Sequence, residues 1–256
     1  MQMLQRIYSR QKILCGILFG ISCLIWTTGM VFGIWCKNHI PDNGIAGLKK
    51  PEDVYASGCT SDYVFGKNKK DEKSKYKSFC DYEEEYVEEV VASPIILVGK
   101  STGHLIQYGS SLGQEVEVER VYKGDKLLEG KRIMVYQRDG IESKKKGLKF
   151  MGIRNLMQKN SRYAIFLKEN PYYNSIEKAI WNLGDGYFSY LNLKDVDKKP
   201  MKWTKDTPLS EYSDIEFFAT SDRLLKQLKK IKREILERTT TICNHLRGAK
   251  VKKLSS

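Results

Sequence analysis

The chain has no Cys-x-x-Cys, and its three histidines, His39, His104 and His245, stand far apart. Structural zinc, whose ligands come in closely spaced pairs, is excluded at the usual spacings. No Gly-x-Ser-x-Gly elbow, paired acids or ligand cluster frames a reaction centre, so no catalytic residue and no cofactor is assigned. Acidic residues are in deficit: 31 Asp and Glu face 44 Lys and Arg, a formal charge of +13. That balance favours anionic partners without choosing among nucleic acid, acidic lipid and polyanionic polymer.

The tetrapeptide Gly99-Lys100-Ser101-Thr102 ends like a phosphate-binding loop, but the motif's opening glycine would fall at position 94, which is Pro94. The segment after Thr102, "GHLIQYGSSLG", does not open a capped helix. Nor do strands alternate with helices as a parallel nucleotide-binding sheet requires. Phosphate binding is therefore rejected. Gly99 is better explained as the point where a long strand bends.

Charge is also missing from Ile13 to Trp35, "ILCGILFGISCLIWTTGMVFGIW". As a helix this run spans about 34 Å, enough for a hydrocarbon core of about 30 Å. It is too long for a signal-peptide apolar region, and no Ala-x-Ala follows it. A retained single-pass transmembrane helix at 13–35 is expected, preceded by a short cytoplasmic tail, 1–12. Arg6, Arg10 and Lys12 nearly balance Lys37, Lys49 and Lys50 across the span. Two of the N-terminal charges abut the run, which favours the N-terminus inside and the C-terminal domain outside the cell membrane. Cys15 and Cys23 lie within the run and Cys36 at its edge. In an outside domain Cys59 and Cys80 are disulfide candidates; in an inside one they are free thiols.

Residues 36–80 read as a polar juxtamembrane stem, with turn residues and a solvated charged run at 66–77. Tyr82, Tyr86, Val87, Val90 and Val91 then recur at helical spacing until Pro94 stops them. Strands follow at 95–100, 115–122, 131–138, 162–168 and 186–193. In the second, Val116 and Val118 alternate with Glu115, Glu117 and Glu119, giving one buried and one wet face. Val98, Val118, Val135 and Phe166 are expected to point inward together. The fold class is mainly β: a small five-stranded antiparallel OB-like barrel at 81–193, with an N-terminal transmembrane helix and a C-terminal amphipathic helix.

Cys80, Val98-Gly99-Lys100, "VERVYKG" at 118–124 and "YAIFL" at 163–167, in that order, resemble netrin-like modules. These are OB-type barrels known from the tissue inhibitors of metalloproteinases and from membrane-anchored bacterial proteins. The resemblance covers about residues 59–193 and implies a compact outward-facing barrel that binds through its loops or one face. It does not carry over protease inhibition, which needs a free N-terminal cysteine. The nearest candidate here, Cys59, is preceded by a stem and a span.

A polar connector, 194–219, leads to "TSDRLLKQLKKIKREILERTTTICNHL" (220–246). Ser221 suits its cap and Leu224, Leu228, Ile231, Ile235 and Ile242 keep to one stripe, with lysines opposite. This basic amphipathic helix packs on the barrel or lies on anionic lipid, and the tail 247–256 follows it without regular structure. Polyanion contacts are expected from Lys144, Lys145, Lys146 and Lys149 in a basic loop, and from Lys226, Lys229, Lys230 and Arg233 on the helix. The expected function is a membrane-anchored extracytoplasmic binding module for a protein, anionic polymer or lipid ligand. A tethered cytosolic OB-type single-stranded nucleic-acid binder is the alternative. Nucleic acid is disfavoured because Glu115, Glu117 and Glu119 would repel phosphate.

Overall fold

The computed structural model describes residues 17–31, 45, 47–108, 111–137, 140–144, 147–152, 154–168, 181–183 and 187–253. It forms two compact units, Met1–Asn43 and Gly44–Ser256. In the first, residues 17–31 are helical and exposed all round, Phe19 and Trp26 included. The helix keeps its hydroxyls satisfied internally: Thr27 donates to the Cys23 carbonyl at 3.0 Å and Thr28 to that of Leu24 at 2.7 Å. Among the described residues no helix is long and apolar enough to cross a membrane. The ends of the apolar run, 13–16 and 32–35, lie outside the described residues.

The second unit has mixed α/β content with strands in two sheets, rather than the mainly β composition expected. The larger sheet has the order β2 (Ile95–Tyr108), β3 (Ser111–Lys123), β4 (Arg132–Gln137), β8 (Trp181–Leu183), β7 (Arg162–Lys168), β9 (Tyr190–Asn192), and β2 also pairs with β7. All its pairings are antiparallel except β4 with β8. Neither sheet closes into the five-stranded antiparallel barrel expected at 81–193: between β4 and β7 stands only the short β8, held to each by two residue pairs. Residues 190–192 pair with β7 instead. The smaller sheet, β1 (Thr60–Ser61), β6 (Gly147–Phe150) and β5 (Ile141–Lys144), went unforeseen because its strands are too short to show a period.

Gly99-Lys100-Ser101-Thr102 lies wholly within β2, which runs on to Tyr108 through the expected loop. The β2–β3 register shifts between Val98 and Gly99, and a Cβ on Gly99 would stand 3.2 Å from the Glu117 carbonyl oxygen. The glycine therefore permits a bulged, close strand crossing, the role expected of it.

The stem expected at 36–80 contains two helices. Helix α1 (Pro51–Ala56) opens on a proline with Glu52 and Asp53 in its first turn. Helix α2 (Lys69–Asp81) is capped by Asn68, whose side chain accepts from the Asp71 amide at 2.9 Å. Helix α3 (Glu83–Val91) and helix α4 (Asp222–Lys253) follow the periodicity of their sequences, but α4 runs on through 247–253, where a tail without regular structure was expected.

Helices α2, α3 and α4 cover the outer face of β2 and β7. Ile96, Ala164 and Phe166 meet Phe79, Val87, Leu224, Leu228, Ile231 and Ile235 there. Ile95, Leu97, Ile165 and Leu167 point the other way, into a core with Val118 and Val135. Successive residues of both strands are thus buried on opposite faces. Phe166 and Val98 lie on the helix-covered face, not inside with Val118 and Val135 as expected. The α4 stripe rests on the sheet, which decides between sheet and lipid for residues 224–235. A third core joins Leu48, Val54, Cys59, Phe150, Met201 and Tyr212 beneath the smaller sheet.

Cys59 and Cys80 are free thiols here, not a disulfide. Cys59 is sealed in the third core, whereas Cys80 is exposed near the C-terminal end of α2.

Candidate binding cleft

Residues 194–202, "KDVDKKPMK", have no regular structure, yet a buried polar network holds them firmly. Asp197, 1% exposed, accepts backbone hydrogen bonds from Glu216 at 2.8 Å and Phe217 at 3.3 Å. Glu216 accepts from the Asn192 amide at 2.8 Å and pairs with Lys232 of α4 at 2.5 Å. Lys232 also donates to the Lys194 carbonyl at 3.2 Å, and Lys229 donates to that of Asp197 at 2.9 Å. The opposite wall, residues 211–215, is fixed from below. The Asn155 side-chain amide donates to the carbonyls of Tyr212 at 2.6 Å and Ile215 at 2.9 Å. Gln158 donates to the Ser213 carbonyl, and the Tyr212 hydroxyl bridges the walls by donating to the Lys202 carbonyl.

Beneath this lies Arg154, 3% exposed, stacked 3.7 Å over the Tyr190 ring and donating to the Tyr190 carbonyl. Such charges are retained in a core only when paired or well hydrogen-bonded. Burial pushes the Asp197 carboxyl above the ordinary range, against the two amide donors and the charge of Lys232. Its second oxygen has no partner among the described residues.

Between the two walls opens a cleft of about 890 Å³. Val196, Pro200, Met201, Tyr212 and Ile215 supply apolar surface, and Lys194, Lys198, Lys199 and Lys202 are exposed along its rim. No ion pair between described residues involves these four lysines. Asp195 on the same rim is engaged by Lys229 at 2.6 Å. The arrangement offers exposed cations on one wall, with exposed Glu211 and Asp214 on the other, beside an apolar floor held in place before any ligand arrives. No protein-family model matches this chain, and no curated protein matches it either.

The expected polyanion contacts do not gather in one place. Lys144 is exposed on the β5–β6 hairpin and pairs with Glu142. Lys149 on the same hairpin is half-buried and holds the Thr60 hydroxyl at 2.6 Å and Asp62 at 3.5 Å. Lys145 and Lys146 lie outside the described residues. Lys229 and Lys230 fasten α4 to Asp195 and Glu83, at 2.6 and 2.9 Å. Lys226 and Arg233 are exposed. His104 is exposed on β2, 4.0 Å from the Glu115 carboxylate. Among the described residues no group of three or more His, Cys, Asp or Glu could hold a metal ion.

The four rim lysines were missed because the connector has neither period nor motif. One signal was there: lysines crowded around Pro200 with two aspartates, in a segment too short to be a low-complexity tract.

Proposed function

We propose that the chain is a membrane-anchored, extracytoplasmic binding module that takes an anionic chain into the cleft between residues 194–202 and 211–215. The observation that carries this is four exposed lysines, in no ion pair among the described residues, over an apolar floor whose walls are held by buried hydrogen bonds. The anchor is supported by the 13–35 run and by the helix at 17–31, apolar and exposed on every side. The netrin-like reading rests on the order of the sequence segments at 80, 98–100, 118–124 and 163–167.

The nucleic-acid alternative draws on the same charge, but the outer face of β2 lies under α4 and Glu117 and Glu119 are exposed on β3. Two measurements test the proposal. A Ser256→Cys variant, with the native cysteines replaced, should react with an impermeant thiol reagent on intact cells. The full-length protein in lipid discs should bind poly-glutamate more tightly than oligothymidylate. If the introduced C-terminal thiol is shielded from the reagent and the oligonucleotide is preferred, the alternative replaces this function.

A further inference from the structure

Helix α2 carries its lysines in a row. Lys69, Lys73 and Lys77 follow one another at four-residue steps along one face, with Lys70 beside them, and all four are exposed. Like charges at this spacing repel and weaken a helix, so solvated helices usually interleave the two signs. The acids of α2 do not serve the row. Asp71 accepts from the amides of Gly66 and Lys67, at 2.8 and 3.1 Å, and Glu72 is half-buried.

The start of α4 widens this face. Arg223 stacks 3.5 Å over the Tyr76 ring of α2, and Gln227 donates to the Phe79 carbonyl at 3.1 Å. Arg223 and Lys226 are exposed there, and Asp81 and Asp222 are the exposed acids of the same two segments. None of these six cations forms an ion pair among the described residues. Farther along α4 the pattern reverses: Lys229, Lys230 and Arg238 are held by Asp195, Glu83 and Glu84. The apolar stripe of α4 stays on the sheet, so only polar surface faces outward here.

A row on the outside of a helix suits a plane of headgroups better than a single gripped molecule. Only residues 36–43 separate the apolar run from this unit, at most about 28 Å of chain. A cluster of about four to eight cations that close to a membrane anchor is drawn to anionic lipid. We propose that the α2 row, with Arg223 and Lys226, docks on the anionic lipid surface beside the chain's own anchor. The inference rests on the anchor proposed above, but on neither the cleft nor the side of the membrane that the unit occupies.

The test uses the full-length protein in lipid discs, with Cys15, Cys23, Cys36 and Cys243 replaced by serine. A bimane fluorophore is placed on exposed Cys80, three residues beyond Lys77, while Cys59 stays sealed in its core. All discs hold the same share of a phosphocholine lipid with a nitroxide headgroup as quencher. Discs containing phosphatidylglycerol should raise the ratio of quenched to unquenched label at least about fivefold over zwitterionic ones. Salt at about 1 M, where the Debye length is about 3 Å, should reverse this. Lys69→Glu with Lys73→Glu and Lys77→Glu should abolish the difference. Lys73→Glu alone relieves the like-charge row, so it should weaken docking yet melt no lower than wild type. Lys198→Glu with Lys199→Glu should leave the quenching unchanged. Equal quenching in both kinds of disc, or quenching that survives the triple substitution, would overturn the proposal. So would a row that binds poly-glutamate in zwitterionic discs and ignores anionic lipid. A chain that does not enter zwitterionic discs would remove the anchor, and this proposal with it.

Discussion

Cys59 and Cys80 belong to one residue type with two different reactivities, set by surroundings. Burial pushes the Cys59 thiol up to about 12, so almost no thiolate forms at neutral pH. Cys80 faces solvent. In native full-length protein, iodoacetamide should modify Cys80 within minutes and leave Cys59 intact until denaturant is added. Peptide mapping reads this, and a Cys59–Cys80 bridged peptide would contradict it. Asp197 gives a second prediction at this scale. Its carboxyl is raised by burial, so the folded state favours the protonated form. That contribution to stability is complete below the unfolded value near 3.8 and is lost as pH rises through the raised folded value. Asp197→Asn should flatten this part of the stability–pH curve, measured by denaturant unfolding at several pH values. An unchanged slope would mean that Asp197 is ionised in the fold at no cost. Lys232→Met leaves Glu216 buried without its partner and should cost about 3–5 kcal/mol.

Among elements, α4 shows most clearly what periodicity reveals and what it does not. Its stripe of Leu224, Leu228, Ile231 and Ile235 was legible, but the surface receiving it was not. The hint lay in the other partner: "IILV" at 95–98 and "AIFL" at 164–167 are continuous apolar runs, which mark strands buried on both faces. Leu228→Ala should cost about 2–5 kcal/mol and Phe166→Ala about 3–5 kcal/mol, because both empty the same helix–sheet core. Wild-type unfolding of either variant would detach α4 from the sheet. Acid should loosen this layer. Burial opposes the charge of Glu83, but bonds from Lys230 and Gln227 outweigh it and hold the carboxyl below its usual range. Glu84 is likewise held low by its bond to Arg238. These contributions are present above the unfolded value near 4.5 and fade as pH falls through the lowered ones. Hydrogen exchange in α3 and α4 should therefore quicken below that range, and less so in Glu83→Gln. Helix α2 escaped notice because its lysines resemble a solvated run, although Asn68 three residues before Asp71 is a cap signal.

Across the whole molecule, the strands were visible because each is apolar between turn residues, alternating at 115–122 and 131–138 and continuous at 95–98 and 164–167. Invisible were the features built from long-range polar contacts. Glu216, Asp197 and Lys232 are far apart in sequence and look like ordinary surface charges until folding buries them together. The cleft depends on that burial, so only its lysines could be read beforehand. Its role is tested most directly by titrating poly-glutamate into the full-length protein in zwitterionic lipid discs. The variants to compare are Lys198→Glu with Lys199→Glu, and Lys226→Glu with Arg233→Glu. The expected result is a loss of about tenfold or more for the cleft pair, a small change for the α4 pair, and weaker binding at physiological salt, where the Debye length is about 8 Å. Wild-type affinity in the cleft pair, with binding lost in the α4 pair, would contradict the cleft as the binding site.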